Sequence, residues 1–187
     1  VWVLEELGEP YELTVMDREE GKAPEHLARH PLGRVPVLED DDGFVFESAA
    51  ICLHLADLHP DSGLVPEPGS HERALVYQWA VFAPAELEPP LIEAAMTAES
   101  DPERSARARK RFDTGVAGVA AALGDREYLV GDGFTVADVL ISSVLGFTRR
   151  TGTWEELPDA LQAYVERIEQ RPARQRAVAA IMGGAPA

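Results

Sequence analysis

Val35-Pro36 and Glu47-Ser48 offer free backbone groups, a carboxylate and a hydroxyl within one stretch, PLGRVPVLEDDDGFVFESAAICLHLAD, residues 31–57. A proline has no amide hydrogen to give a ladder, so Pro36 belongs at the first residue of a strand or on an edge. A cis Val35–Pro36 bond would turn the amide and carbonyl of Val35 out of the sheet, open to an extended peptide that adds as a strand. A trans proline at a strand start suits the same spacing, and only about 5–6% of X–Pro bonds in folded proteins are cis. Ser48 reads as the N-cap of a helix, where free amide donors can receive a carboxylate. Glu47 beside it could take an ammonium. Together they suit the carboxylate-and-amine end of an α-amino acid, although the simpler reading is a cap that serves only the helix.

Other reactive types carry less. Cys52 falls on the apolar face of a helix and reads as a structural thiol rather than a nucleophile. The five histidines (His26, His30, His54, His59, His71) show no metal spacing, and no second thiol completes a cysteine-containing site, so no metal is expected.

Periodicity and turn residues outline the helices and strands around these groups. VWVLEELG reads as a helix stopped by Gly8. YELTVMDR alternates Tyr11, Leu13 and Val15 and reads as a strand. APEHLARH suits a short helix started by Pro24. VPVLED and FVFE, joined by the acidic turn Asp40–Gly43, read as a hairpin. SAAICLHLADLH is a helix whose apolar face would be Ile51, Cys52, Leu55 and Leu58. After the Pro/Gly/Ser-rich HPDSGLVPEPGS everything reads as helix. Ser70 to about Thr97 is one long helix in which Pro84 and Pro89-Pro90 predict a bend or break. Asp101-Pro102 opens a helix that Gly124 closes, and Thr135-x-x-Asp138 is a capping box that Phe134 and Val139 can staple. Pro158 and Pro172 each suit the start of a further short helix. The expected boundaries are 1–60 for an α/β domain, 61–69 for a linker and 70–187 for an all-α domain.

Composition excludes several partners. The 187 residues carry 17 Lys and Arg against 33 Asp and Glu, a formal net charge of −16. That argues against nucleic acid and against an anionic membrane surface. No apolar run reaches the roughly 18 residues of a membrane helix. The first residues lack a basic n-region and a cleavage site, and the chain has a single cysteine, which together favour a cytoplasmic setting. Residues 1–60 hold 14 acids and four bases, so an anionic ligand there must be held by local donors against the overall field.

VPVLEDDDGFVFESAAICLHLAD resembles the cis-Pro, hairpin and Glu-Ser motif of the glutathione transferase family. GDGFTVADVLISSVL resembles that family's helical-domain capping box, and RIEQRPARQRA is similar to its C-terminal helix pair. The resemblance covers essentially the whole chain, with bacterial-type members nearest. It implies a thioredoxin-like N-terminal domain followed by an all-α helical-bundle domain. It also implies glutathione as cosubstrate, conjugated to a small hydrophobic electrophile in detoxification by a homodimer. Glu47 and Ser48 would then hold the γ-glutamyl ammonium and carboxylate, the Val35 backbone would pair with the cysteinyl residue, and Pro36 would be cis. Arg34 would reach the glycine carboxylate, or stand as a solvated loop residue. Trp79, Phe82 and Phe147, with Tyr77, would line the electrophile pocket or form core. Arg149 and Arg150 would sit near that pocket or cover a helix end. His30 stands where the family often has Asn.

One departure bears on catalysis. Family members open with a strand–turn–helix whose turn carries the Ser, Tyr or Cys that acts on the glutathione sulfur. VWVLEELGEPYEL matches only the back of that helix. The catalytic residue is therefore expected upstream of Val1, in a missing segment of about 15–20 residues, the span of a βα unit. A glutathione-dependent disulfide reductase or isomerase, and a non-catalytic protein-interaction module, remain the alternative functions.

Overall fold

The computed structural model describes residues 1–17 and 19–183. In chain order its helices are α1 (Trp2–Leu7), α2 (Pro24–Leu27), α3 (Ser48–Leu58), α4 (His71–Phe82), α5 (Glu88–Thr97), α6 (Pro102–Leu123), α7 (Val136–Thr151), α8 (Asp159–Glu169) and α9 (Pro172–Gly183), with strands β1 (Val37–Asp40) and β2 (Gly43–Phe46) between α2 and α3. The residues fall into two compact units. One comprises Val1–Ser62 and the chain from Arg171; the other is Gly63–Gln170.

In the first unit α1 buries Trp2 and Val3 and stops at Gly8, whose φ of 71° is the left-handed conformation that ends helices. α9, which buries Ala173, Ala177 and Ala180, packs on α1, and two ion pairs flank the contact. The Arg171 guanidinium forks onto both carboxylate oxygens of Glu6 at 2.7 Å, and Arg176 Nε donates to Glu5 at 2.6 Å. Tyr11 Oη donates to the same Glu5 at 2.6 Å.

The strand expected over residues 11–18 does not form. Burial alternates from Tyr11 to Thr14 and then fails, with Val15 54% exposed. Among the described residues the ladder is β1–β2 alone, so alternation here has no hydrogen-bonded partner to make it a strand. Arg18 of that segment lies outside the described residues. In α3 the apolar face is Ile51, Leu55 and Ala56. Leu58, assigned to that face by its spacing, is 60% exposed because it is the last helical residue and overhangs the core.

In the second unit the Ser70 hydroxyl caps α4 by accepting the Arg73 amide at 3.1 Å. Pro84 cannot continue the α ladder, and the chain passes through a π turn over Ala83–Leu87 before α5 resumes with Pro89 and Pro90 in its first turn. The expected break is thus a change of pitch. Asp101 caps α6 by accepting the Arg104 amide at 3.0 Å, and Thr135 and Asp138 form the capping box of α7. Asp138 does more than cap. It is wholly buried and accepts the Leu129 amide at 2.9 Å, the Thr135 amide at 2.9 Å and hydroxyl at 3.1 Å, and the Tyr164 hydroxyl of α8 at 2.8 Å. Burial pushes its carboxyl above the usual carboxylate range and these donors pull it back. Among the described residues no helix is long and apolar enough to cross a membrane.

Candidate functional site

The hairpin brings the two halves of the motif together. β1 and β2 pair antiparallel with Val37 opposite Phe46 as the last pair, so Pro36 adjoins one strand end and Glu47 the other. The far end closes tightly: Asp40 Oδ1 accepts the amides of Asp42 and Gly43, both at 3.0 Å. That turn fixes the register, which runs to Val37 and Phe46 at the open end.

Val35–Pro36 is a cis bond. Val35 is 62% exposed, and among the described residues its amide and carbonyl have no hydrogen-bond partner. The loop before it is held from beneath. His26, buried in α2, donates from Nε2 to the Arg34 carbonyl at 2.8 Å; a carbonyl only accepts, so the proton is on Nε2. His30, also buried, accepts the Leu32 amide at Nδ1 at 3.1 Å and sets its ring 4.7 Å from that of Phe46. Gly33 has φ 61°, and a Cβ there would collide with the Gly21 carbonyl. The Arg34 side chain is exposed and unpaired among the described residues.

Ser48 is not the N-cap that its type suggests. It is the first helical residue, and Glu47 occupies the cap position with φ 72° and ψ 120°. Glu47 is the one non-glycine residue with positive φ among those described. Such backbone costs about 1–3 kcal/mol and persists only where the surroundings impose it. Here the ladder holds Phe46 on one side and α3 begins on the other. No side chain caps the helix. The first internal bond runs from the Ile51 amide to the Glu47 carbonyl at 3.0 Å, which leaves the amides of Ser48, Ala49 and Ala50 outside the helix ladder. These donors and the positive end of the helix dipole are suited to an anion, with the exposed Glu47 carboxylate beside them.

The family profile for the glutathione S-transferase N-terminal domain matches residues 1–57, and that for the C-terminal domain matches residues 102–167. A glutathione S-transferase, GST-4.5, of Xanthomonas campestris is 33% identical over 165 residues, which span 85% of this chain and 81% of the relative. The chain belongs to the glutathione S-transferase family. Among solved structures, the glutathione transferase of Methylococcus capsulatus superposes with a TM-score of 0.85 at 31% identity, covering 97% of this chain and 91% of that one. A sphingomonad glutathione S-transferase complexed with glutathione gives 0.82 at 30% identity, covering 98% and 91%. The thioredoxin-like unit and the helical unit are those of the glutathione transferase fold, and the family is one of enzymes.

Within this transferase, Arg34, Val35, Pro36, Glu47 and Ser48 are all exposed and belong to the first unit. Trp79 and Phe82 are neighbours on α4, with rings edge to face at 5.3 Å and Trp79 buried. Phe147 lies on α7, 38% exposed, with the Arg150 guanidinium 6.0 Å from its ring centre. Arg149 stacks 3.5 Å over the Trp154 ring and pairs with Glu169 at 2.9 Å. The Cys52 thiol is pushed up to about 11 by burial, which suits packing and not attack. Among the described residues no group of three His, Cys, Asp or Glu could hold a metal. Sequence reasoning gave His26 no role. The available signal was its place in a short Pro-started helix just before the Val35-Pro36 loop.

Proposed function

We propose that this transferase binds glutathione at the open end of the hairpin and conjugates its thiolate to a small hydrophobic electrophile. The observation that carries the reading is that the unpaired Val35 peptide groups and the uncapped amino end of α3 flank the same open end of the hairpin, where Val37 lies opposite Phe46. Glutathione presents a matching set in matching order. Its γ-glutamyl carboxylate meets the Ser48 hydroxyl and the α3 amides, and its ammonium meets Glu47. Its cysteinyl amide and carbonyl pair with Val35, whose following residue Pro36 ends the ladder there. Its glycine carboxylate meets Arg34, whose guanidinium suits a carboxylate fork. These local donors are needed because glutathione is an anion and the chain carries a net charge of −16.

In the reaction the bound sulfur, as thiolate, forms a bond to an electrophilic carbon while the bond to the leaving group breaks with its electron pair. Trp79, Phe82 and Phe147 are the side chains we assign to the electrophile. We place the enzyme in the cytoplasm as a homodimer, on the single cysteine and the habit of the family.

Titration calorimetry with glutathione tests the reading. We expect saturable one-site binding, weakened about tenfold by Arg34→Ala and by Ser48→Ala, each the loss of one hydrogen bond to a charged group. Chloride release from an activated aryl chloride in the presence of glutathione reads out the transfer itself. No heat at millimolar glutathione would sink the proposal.

A further inference from the structure

We infer that His26 is a positioning residue for the glutathione site: its Nε2–H holds the Arg34 carbonyl inward and thereby aims the Val35 amide outward at the ligand. The Arg34 carbonyl and the Val35 amide belong to one planar peptide unit. Among the described residues only Val35–Pro36 is cis, so the Arg34–Val35 unit is trans and its C=O and N–H point in opposite directions. Fixing one fixes the other. His26 is 4% exposed and reaches the carbonyl at 2.8 Å, while Val35 on the opposite side is 62% exposed. His30 supports the same loop two residues earlier by accepting the Leu32 amide, and its ring rests on Phe46, the last residue of β2. The loop is thus tied both to α2 and to the strand that leads into Glu47. Without the His26 tie, rotation of the Arg34–Val35 peptide would carry the donor away from a cysteinyl carbonyl while leaving Glu47 and the α3 amides in place.

The inference rests on the glutathione reading above, and its test separates the two. The probes are glutathione and γ-glutamylmethylamide, which keeps the ammonium and carboxylate but lacks the cysteinyl residue. In His26→Leu the dissociation constant for glutathione should rise about fivefold, the loss of one neutral hydrogen bond, while that for the fragment stays unchanged. His26→Gln, whose side-chain amide can place a donor where Nε2 stands, should restore glutathione binding. The second readout needs no ligand: the ¹⁵N order parameter of the Val35 amide should fall in His26→Leu and recover in His26→Gln. Equal loss for both probes, equal loss in both variants, or an unchanged Val35 amide in His26→Leu overturns the positioning role. A wild-type protein that binds neither probe overturns the glutathione reading, and the Val35 amide then decides alone whether His26 orients that peptide.

Discussion

Glu47→Gly should make the protein more stable and a worse binder. Glu47 holds φ 72° and ψ 120°, a region that a side chain makes costly and that glycine enters freely. Relief of that strain is worth about 1–3 kcal/mol. Glycine returns about 0.5–1 kcal/mol of it through the greater freedom of the unfolded chain. The net gain is about 1 kcal/mol, a rise in Tm of about 2–4 °C for a chain of this length. The same change removes the carboxylate proposed to receive the ligand ammonium, an interaction of about 1.5–3 kcal/mol, so the dissociation constant for glutathione should rise about tenfold or more. Glu47→Gln separates the causes, because it keeps the side chain and therefore the strain while removing the charge. It should melt with the wild type and bind weakly. Scanning calorimetry and titration calorimetry on the three proteins suffice. A lower Tm for Glu47→Gly would refute the strain argument, and wild-type affinity in both variants would refute the role of the carboxylate.

Three further outcomes follow from the packing. Asp138→Asn offers one acceptor oxygen where four donors converge and turns an amide toward the rest; it should lose about 3 kcal/mol, with urea midpoints as the measure and Tyr164→Phe as the milder control. Gly115 and Gly118 of α6 should respond oppositely to alanine. A Cβ at Gly115 would come 2.7 Å from Cδ2 of the fully buried Leu87, so Gly115→Ala should destabilise, whereas Gly118 has nothing within 4 Å and Gly118→Ala should gain up to about 1 kcal/mol of helix propensity. Tyr11 has its phenol pushed up to about 12 by burial and by the hydrogen bond to Glu5. Its folded value lies above its unfolded one, so its stabilisation is whole below the ordinary phenol value of 10.0 and is lost as pH rises toward 12. Tyr11→Phe should therefore be less stable at pH 8 and show a shallower alkaline loss in melts run from pH 9 to 12.

What was legible in the sequence divides along a physical line. Hydrogen-bond valence and helix-end chemistry are local, and they were read correctly where they alone decide. Gly8 ends α1, Asp101 caps α6, Thr135 and Asp138 box α7, and the Asp40–Gly43 turn sets a hairpin. Where a tertiary partner decides, local pattern misled. Tyr11–Val15 alternates like a strand, but a strand exists only with a ladder, and among the described residues no strand pairs with this segment. Ser48 has the type of a cap, but the hairpin delivers Glu47 into the cap position in a conformation that no local preference of glutamate would select. The site follows the same division. Its groups were visible as types, because Pro36 lacks a donor and Ser48 begins a helix. Their aim was not visible, because it depends on His26 meeting the Arg34 carbonyl eight residues away and on the ladder that ends with Val37 opposite Phe46. The strained residue and the uncapped helix end thus fall at one junction. β2 ends on Phe46, Glu47 follows with positive φ, and no side chain caps α3. The amides left over are the ones a carboxylate ligand can use.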